Sequence, residues 1–533
     1  MTGKRRSSSL PSNVTLQWGR ISTSLNTSSP RTVNSFLSLF RPAMASVIED
    51  AETYQQSGLI VPSFNLDNSN DLVPLTNPAS DVSTLRRPSS LGNASRVGTS
   101  NLGTIFLIVN AALGAGLLNF PKAFDQAGGI EVALIVQTIL VIFVIASLLI
   151  LAKCSDVNGA GTVQAALHGA SGKIGQHIGS FCVALYSFGT CITFLIIIGD
   201  QFDRALASLY GPNFCSYWYM QREFLIPACS TIFILPLCFS LRIDFLKYVS
   251  PVGVSSIVYV VVLIAYEYFE GGYVPGPIKE NPNSWTDVFL VVPVICFGYQ
   301  CHVSAVPIYS CMKERTVKRF SVCMSSAIFM CLVAYTVAGT FGYLTFGSNV
   351  PSDILQAYDA SQPHVLVAIV ALAAKSCATY PILAFCGREA LMSLGQDCGS
   401  APSGSSGQQR EKWGRILISI LWFGSSLILA VLIPDIGQVI QILGSLAAVF
   451  IFVFPGICLL QVTLRQDPSM IRRKNLVSCL FACIIIVVGV FLFGLVLTQA
   501  IRIDIAASSS DHSSHFPSLC NVTQLTVLRL VGG

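Results

Sequence analysis

The sequence predicts an all-α integral membrane protein of eleven transmembrane helices, and three observations predict it. Hydrophobic residues make up 52% of the 533 positions and charged residues only 11%, a balance that a water-soluble domain of this size does not carry. Apolar runs that could cross a hydrocarbon layer of about 30 Å, which takes about 20 residues of helix, recur eleven times. The first and the sixth of these runs are interrupted by residues that break helices.

The expected spans lie near 103–123, 129–152, 175–199, 222–241, 248–269, 286–310, 321–346, 363–387, 413–433, 436–463 and 475–500. Residues 1–100 precede them with 20 serines and no apolar run of spanning length. Such a segment buries too little apolar surface to offset the entropy of folding, so a disordered tail is expected there. It has no signal-peptide core near its start, and the first span would serve as an uncleaved anchor. Lys4-Arg5-Arg6 before Ser7 and Arg86-Arg87 before Ser89 read either as basophilic kinase sites or as solvated basic patches.

Lysine and arginine set the orientation. Loops on the side of the N-terminus hold 16 of them: Lys153, Lys173, Arg242, Lys247, Lys313, Arg315, Lys318, Arg319, Arg388, Arg410, Lys412, Arg415, Arg465, Arg472, Arg473 and Lys474. The opposite loops hold four, Lys122, Arg204, Arg222 and Lys279. Positive charge stays cytosolic, which puts the N-terminus in the cytosol and, after eleven crossings, the C-terminus outside or in an organelle lumen. The net charge of +5 thus reports topology and gives no sign of nucleic-acid binding. Three parts follow: a cytosolic tail 1–100, an eleven-helix domain 101–502 and a luminal tail 503–533. Most of the 18 cysteines fall in spans or cytosolic loops, where they act as small apolar residues. Only Cys215 and Cys520 lie on the oxidising side, leaving at most one bridge. Of the four Asn-x-Ser/Thr sequons, Asn13, Asn26 and Asn93 face the cytosol, and Asn521 alone is a candidate for glycosylation.

The first interruption is NAALGAGLLNFP, Asn110–Pro121. Taken alone it is either a packing notch of small residues or a deliberate break. The sixth span, FLVVPVICFGYQCHVSAVPIYSCM, sets Gly298, Gln300, His302 and Ser304 between Pro293 and Pro307. Spans one and six are five apart, so they cross in opposite directions, and matched breaks at that spacing point to a 5+5 inverted-repeat secondary transporter with one extra helix. Unwound backbone is tolerated at membrane depth only around a cavity or inside protein. The amides opening the second half of span one, near Ala115 and Gly116, present the positive end of a helix dipole and suit a carboxylate. Carbonyls freed at both breaks suit an ammonium group or a bare cation. A ligand with both charges on one carbon is an α-amino acid, and its expected binding residues are Leu113, Gly114, Ala115, Gly116, Phe297, Gly298, Tyr299, Gln300 and His302.

Over about residues 100–500 the chain resembles the sodium-coupled neutral amino acid transporters, within the wider amino acid and auxin permease group. The matching stretches are LGAGLLNFP, FGTCITFLIIIGDQ (188–201), CFGYQCHVSAVP (296–307), YPILAFCGR (380–388) and IPDIGQVI with FIFVFPG (from 433 and up to 456). Plasma-membrane members carry His-Pro-Glu in the sixth span, whereas His302 here is followed by Val303 and Ser304. The resemblance is therefore to the lysosomal branch that exports glutamine and asparagine. It implies a cation-coupled symporter with no cofactor beyond sodium or a proton. A sodium ion would be held by the amide oxygen of Asn110 and the hydroxyls of Thr379 and Ser376, which share one face of the eighth span; ordinary bonding of these hydroxyls to backbone carbonyls is the alternative. Thr190 and Cys191 would face the cavity.

Lys375 lies near the middle of the eighth span, where a charge is costly and usually functional. Either its ammonium substitutes for the coupling cation, making the carrier proton-linked and sodium-independent, or it lies off the site and snorkels or binds carbonyls. His302 would either titrate during transport, its ordinary pKa of about 6.5 lying between lysosomal and cytosolic pH, or stay neutral and hydrogen-bonded within the break. No metal-ligand cluster, Walker loop or nucleophile elbow supports an enzyme or an ATP-driven pump. The remaining alternative of another class is an amino acid sensor signalling through a partner of the N-terminal tail. The lysosomal address rests on the resemblance, with the plasma membrane as the alternative.

Overall fold

The computed structural model describes residues 99–210, 217–218, 222–239, 246–396, 405–433, 435–466 and 473–510. The N-terminal tail, Cys215, Cys520 and Asn521 lie outside the described residues, and with them the expectations of tail signalling, a disulfide and glycosylation. Among the described residues the chain is helical, with one isolated bridge pairing Thr99 with Met312.

Span one is α1 (Asn101–Ala112), a 3₁₀ turn (Ala115–Asn119) and α2 (Phe120–Gln126), bent by 49° at the break. The hydroxyl of Ser100 caps α1 by accepting from the Gly103 amide at 3.2 Å, and Pro121 opens α2 where a missing N–H is harmless. Then follow α3 (Ile130–Asn158), α4 (Val163–Tyr210), α5 (Arg222–Phe233) and α6 (Leu246–Glu270). Gly172, at φ +67°, turns α4 sharply ahead of the third span, a conformation open to glycine at no steric cost. Span six is α7 (Val292–Tyr299) and α8 (His302–Ser310). The chain continues through α9 (Val317–Phe346), α10 (Pro363–Gln396), α11 (Ser405–Leu432), α12 (Ile436–Ala448), α13 (Phe454–Gln466) and α14 (Arg473–Ser510). A π-helical turn at Val449–Val453 joins α12 to α13 within one span.

Among the described residues nine helical segments are long and apolar enough to cross a membrane, and the bent first span makes ten. The expected fourth crossing, 222–241, is shorter than the hydropathy implied. Pro227 lies inside α5 and Pro236 opens a separate turn, Leu235–Cys238, and each proline removes a backbone donor. The protein is a multi-pass helical membrane protein, with up to ten spans and this proline-interrupted piece among the described residues.

Burial sorts the spans into centre and rim. All residues of α7 are buried, and the most apolar 18-residue stretch of the sixth span is 72% buried against 28% for those of Trp413–Leu432 and Asn475–Arg502. Leu417, Leu421, Ile428, Leu480, Val487 and Phe491 stand exposed on those two outer helices, apolar surface of the kind that suits lipid. The α4 and α10 helices, third and eighth spans, pack along each other more extensively than any other pair. They are five apart, as are the two broken spans.

Candidate substrate-binding site

The two breaks are short and they touch. In span one, Leu113 leaves the helix at φ −76°, ψ 94°, and Gly114 stands at φ −129°, ψ −151° before the chain turns helical again at Ala115. In span six, Gln300 is extended at φ −72°, ψ 99°, Cys301 follows at φ −124°, ψ 8°, and α8 restarts at His302. A side chain at Gly116 would meet the Cα of Gly298 at 3.1 Å, and one at Gly298 would meet the ring of Phe120 at 2.9 Å. Backbone thus lies on backbone at the junction. Gly114 is different: a Cβ there meets nothing within 4 Å. The glycines therefore do separate work, Gly116 forming the notch and Gly114 fronting open space.

Aromatic residues of neighbouring spans hold the junction. The Tyr335 hydroxyl of α9 lies 2.8 Å from the carbonyls of both Ala112 and Gly298, and its ring stacks on Phe120 at 4.1 Å. Gln137 Nε2 of α3 donates to the Tyr299 hydroxyl at 2.8 Å. Ser147, also of α3, lies 2.6 Å from His302 Nε2, and His302 is wholly buried. Phe297 faces Tyr186 of α4 at 6.1 Å, and the Thr190 hydroxyl donates to the Tyr186 carbonyl at 2.7 Å. Thr190 is thereby joined to the sixth-span break through Tyr186. Cys191 points elsewhere, its thiol donating to the Tyr380 carbonyl of α10 at 3.9 Å, so the expectation that it faces the cavity is corrected. Tyr335, Gln137 and Ser147 carried no signal in the sequence beyond being polar groups in apolar helices.

Of the residues proposed for the cation, Asn110 is brought together with Lys375, and Ser376 and Thr379 bond within their own helix. The ammonium of Lys375 donates to the carbonyl of Leu113, and Lys375 is buried rather than snorkelling. A Cβ at Gly253 of α6 would lie 2.8 Å from Asn110 Oδ1 and 3.5 Å from Lys375 Cγ, so Asn110 and Lys375 converge on that glycine. The hydroxyls of Ser376 and Thr379 donate to the carbonyls of Leu372 and Lys375, at 2.9 and 2.8 Å. Their hydrogens are engaged within α10, and the lone pairs of their oxygens are what a hard cation would use.

At the end of the molecule opposite the basic loops, the loop after α9 closes over the first and third spans. Asn119 Nδ2 donates to the Ser352 carbonyl at 2.9 Å, Gln201 Nε2 to Asp353 Oδ2 at 3.0 Å, and Arg204 to the Tyr358 carbonyl at 2.6 Å. At the basic-loop end, Thr99 exchanges backbone hydrogen bonds with Cys311 and Lys313, and Arg315 pairs with Asp156 at 3.2 Å.

The sequence model of a family described as transmembrane amino acid transporter protein matches residues 98–502. Over 429 residues the chain is 41% identical to sodium-coupled neutral amino acid transporter 7 of Danio rerio, covering 79% of this chain and 91% of that protein. It is 39% identical to the Homo sapiens protein of the same name, with the same coverage, and 34% identical to Homo sapiens solute carrier family 38 member 8, over 74% of this chain and 92% of the relative. With transporters and not enzymes as its relatives, and two broken helices meeting at its centre, the chain belongs to the transmembrane amino acid transporter family, among the sodium-coupled neutral amino acid transporters.

Proposed function

We propose that the protein is a secondary carrier of neutral amino acids, glutamine and asparagine foremost, moving them from the lysosome lumen to the cytosol in symport with sodium. The observation that carries this reading is the contact of two helix breaks at Gly116 and Gly298, with open space beside it at Gly114. The amides opening at Ala115 and Gly116 suit the substrate carboxylate, and carbonyls freed at the breaks suit its ammonium. Sodium follows the names of the relatives, with Asn110, Ser376 and Thr379 as its ligands, and the lysosomal address follows the resemblance to the glutamine-exporting branch.

One observation favours a second reading. The ammonium of Lys375 lies on the Leu113 carbonyl, one of the acceptors that a coupling cation would use. A tethered ammonium there would make the carrier sodium-independent and proton-linked. Purified full-length protein in proteoliposomes, with sodium and proton gradients imposed separately, tests both. Under sodium symport, Asn110→Ala or Thr379→Ala raises the sodium concentration for half-maximal flux more than it changes amino acid affinity at saturating sodium. Flux indifferent to sodium, driven by the proton gradient and losing that drive in Lys375→Ala, selects the second reading. Absence of flux for every neutral amino acid overturns both.

A further inference from the structure

Two buried side-chain groups at the sixth-span break lack a partner among the described residues. Nε2 of Gln300, a donor, and Nδ1 of His302 make no hydrogen bond to them, although Gln300 is 5% and His302 0% exposed. The polarity of Nδ1 follows from its neighbours. Ser147 gives its hydroxyl hydrogen to the Val144 carbonyl at 2.9 Å, so across its 2.6 Å contact with His302 it accepts from Nε2–H. The proton of the neutral ring is then on Nε2, and Nδ1 offers a bare lone pair. Unmet groups buried this deeply mark a missing partner. Here they have opposite polarity and flank the non-helical Cys301, just past the Gly298 contact with span one.

We propose that Gln300 and His302 are the side-chain subsite of the carrier and read a primary carboxamide. Gln300 Nε2–H donates to the amide oxygen, and the amide N–H donates to His302 Nδ1. This assignment rests on the amino acid carrier reading above and adds what selects the substrate within it. A carboxamide offers one acceptor and one donor on the same carbon, the complement of this pair. A carboxylate offers acceptors alone and sets an oxygen against the Nδ1 lone pair. An alkyl side chain leaves both groups unmet, and a site built to bond a polar group rejects the analogue that lacks it. Ser147 is a positioning residue, fixing the tautomer from behind the ring.

The test is uptake of labelled glutamine by the full-length protein in proteoliposomes, competed by asparagine, glutamate and norleucine, an unbranched side chain with no amide. Wild type should favour glutamine and asparagine over norleucine and glutamate by about tenfold or more. Gln300→Leu and His302→Ala should each cut that preference by about tenfold with norleucine affinity held or improved. His302→Asn, whose side-chain oxygen replaces Nδ1 as acceptor, should restore much of it. The readout is a ratio within one preparation, so a smaller folded fraction does not move it. An unchanged ratio in both variants overturns the subsite and leaves the carrier reading standing. A wild type that carries neutral amino acids without favouring carboxamides overturns the subsite and the glutamine and asparagine preference, and leaves a neutral amino acid carrier. A wild type that carries no amino acid overturns both.

Discussion

One hydroxyl, that of Tyr335, lies 2.8 Å from the carbonyl ending α1 and 2.8 Å from the carbonyl of Gly298. It meets backbone acceptors that the breaks would otherwise leave bare in a low-dielectric interior, where each unmet group costs about 1–3 kcal/mol. The glycines beside it have different tolerances. Gly116 faces the Gly298 backbone at 3.1 Å from where its Cβ would stand, and backbone on both sides cannot yield as a flexible side chain can. Gly116→Leu should therefore abolish transport with the protein still inserted in the membrane, as checked by flux and by surface labelling. Gly114→Ala, entering open space, should keep measurable flux with a raised KM. Near-normal flux in Gly116→Leu would contradict the contact between the breaks. The glycines and Lys375 were legible in the sequence because each violates what a lipid-spanning helix prefers. Tyr335, Ser147 and Gln137 were not, since a tyrosine or serine within an apolar helix has the same pattern whether it faces a neighbouring helix or a break.

At the scale of elements, the paired breaks were legible because glycine and proline mark where the helical ladder fails, and because an odd separation forces opposite crossing. The fourth crossing was misjudged in length, as hydropathy counts apolar residues while Pro227 and Pro236 decide how far each helix runs. The loop after α9 gave no warning at all. Asp353 within it is buried, accepts from Gln201 and from the Leu355 amide at 3.0 and 2.9 Å, and has Asp200 and Arg204 of α4 nearby. Burial raises its pKa from 3.8 to about 7, with Asp200 adding to the rise and the Arg204 guanidinium opposing it. The folded value is the higher, so the folded chain keeps a proton that the unfolded chain releases. Stability from this group is then greatest below pH 3.8, falls as pH rises towards about 7, and levels off above. An acidic compartment favours the closed loop. Asp353→Asn, neutral throughout, should flatten this slope: melting temperatures of variant and wild type should agree better near pH 5 than near pH 8, where the variant should be higher by roughly 1 °C per kcal/mol. Equal pH slopes in the two proteins would show that Asp353 does not titrate in this window.

For the whole molecule, composition was enough to give a multi-pass helical protein, and the lysine and arginine count proposes a side for each loop. The packing of the two broken spans inside a shell of continuous helices required the coordinates, because which helices are central depends on burial and not on hydropathy alone. Under the proposed export, substrate would enter between the broken spans from the face opposite the basic loops, where residues 352–358 meet spans one and three. On the same proposal it would leave past Arg315, Asp156 and the Thr99–Met312 bridge on the basic side. Broken inverted repeats move substrate by rocking one part of the bundle against the other around a fixed site. The central claim is outward carriage of glutamine across the lysosomal membrane by this route. Lysosomes loaded with labelled glutamine test it directly: without the protein they should lose the label more slowly, and with it excess arginine or glutamate should compete poorly. Unchanged glutamine release in its absence, or efficient competition by arginine, would contradict the account.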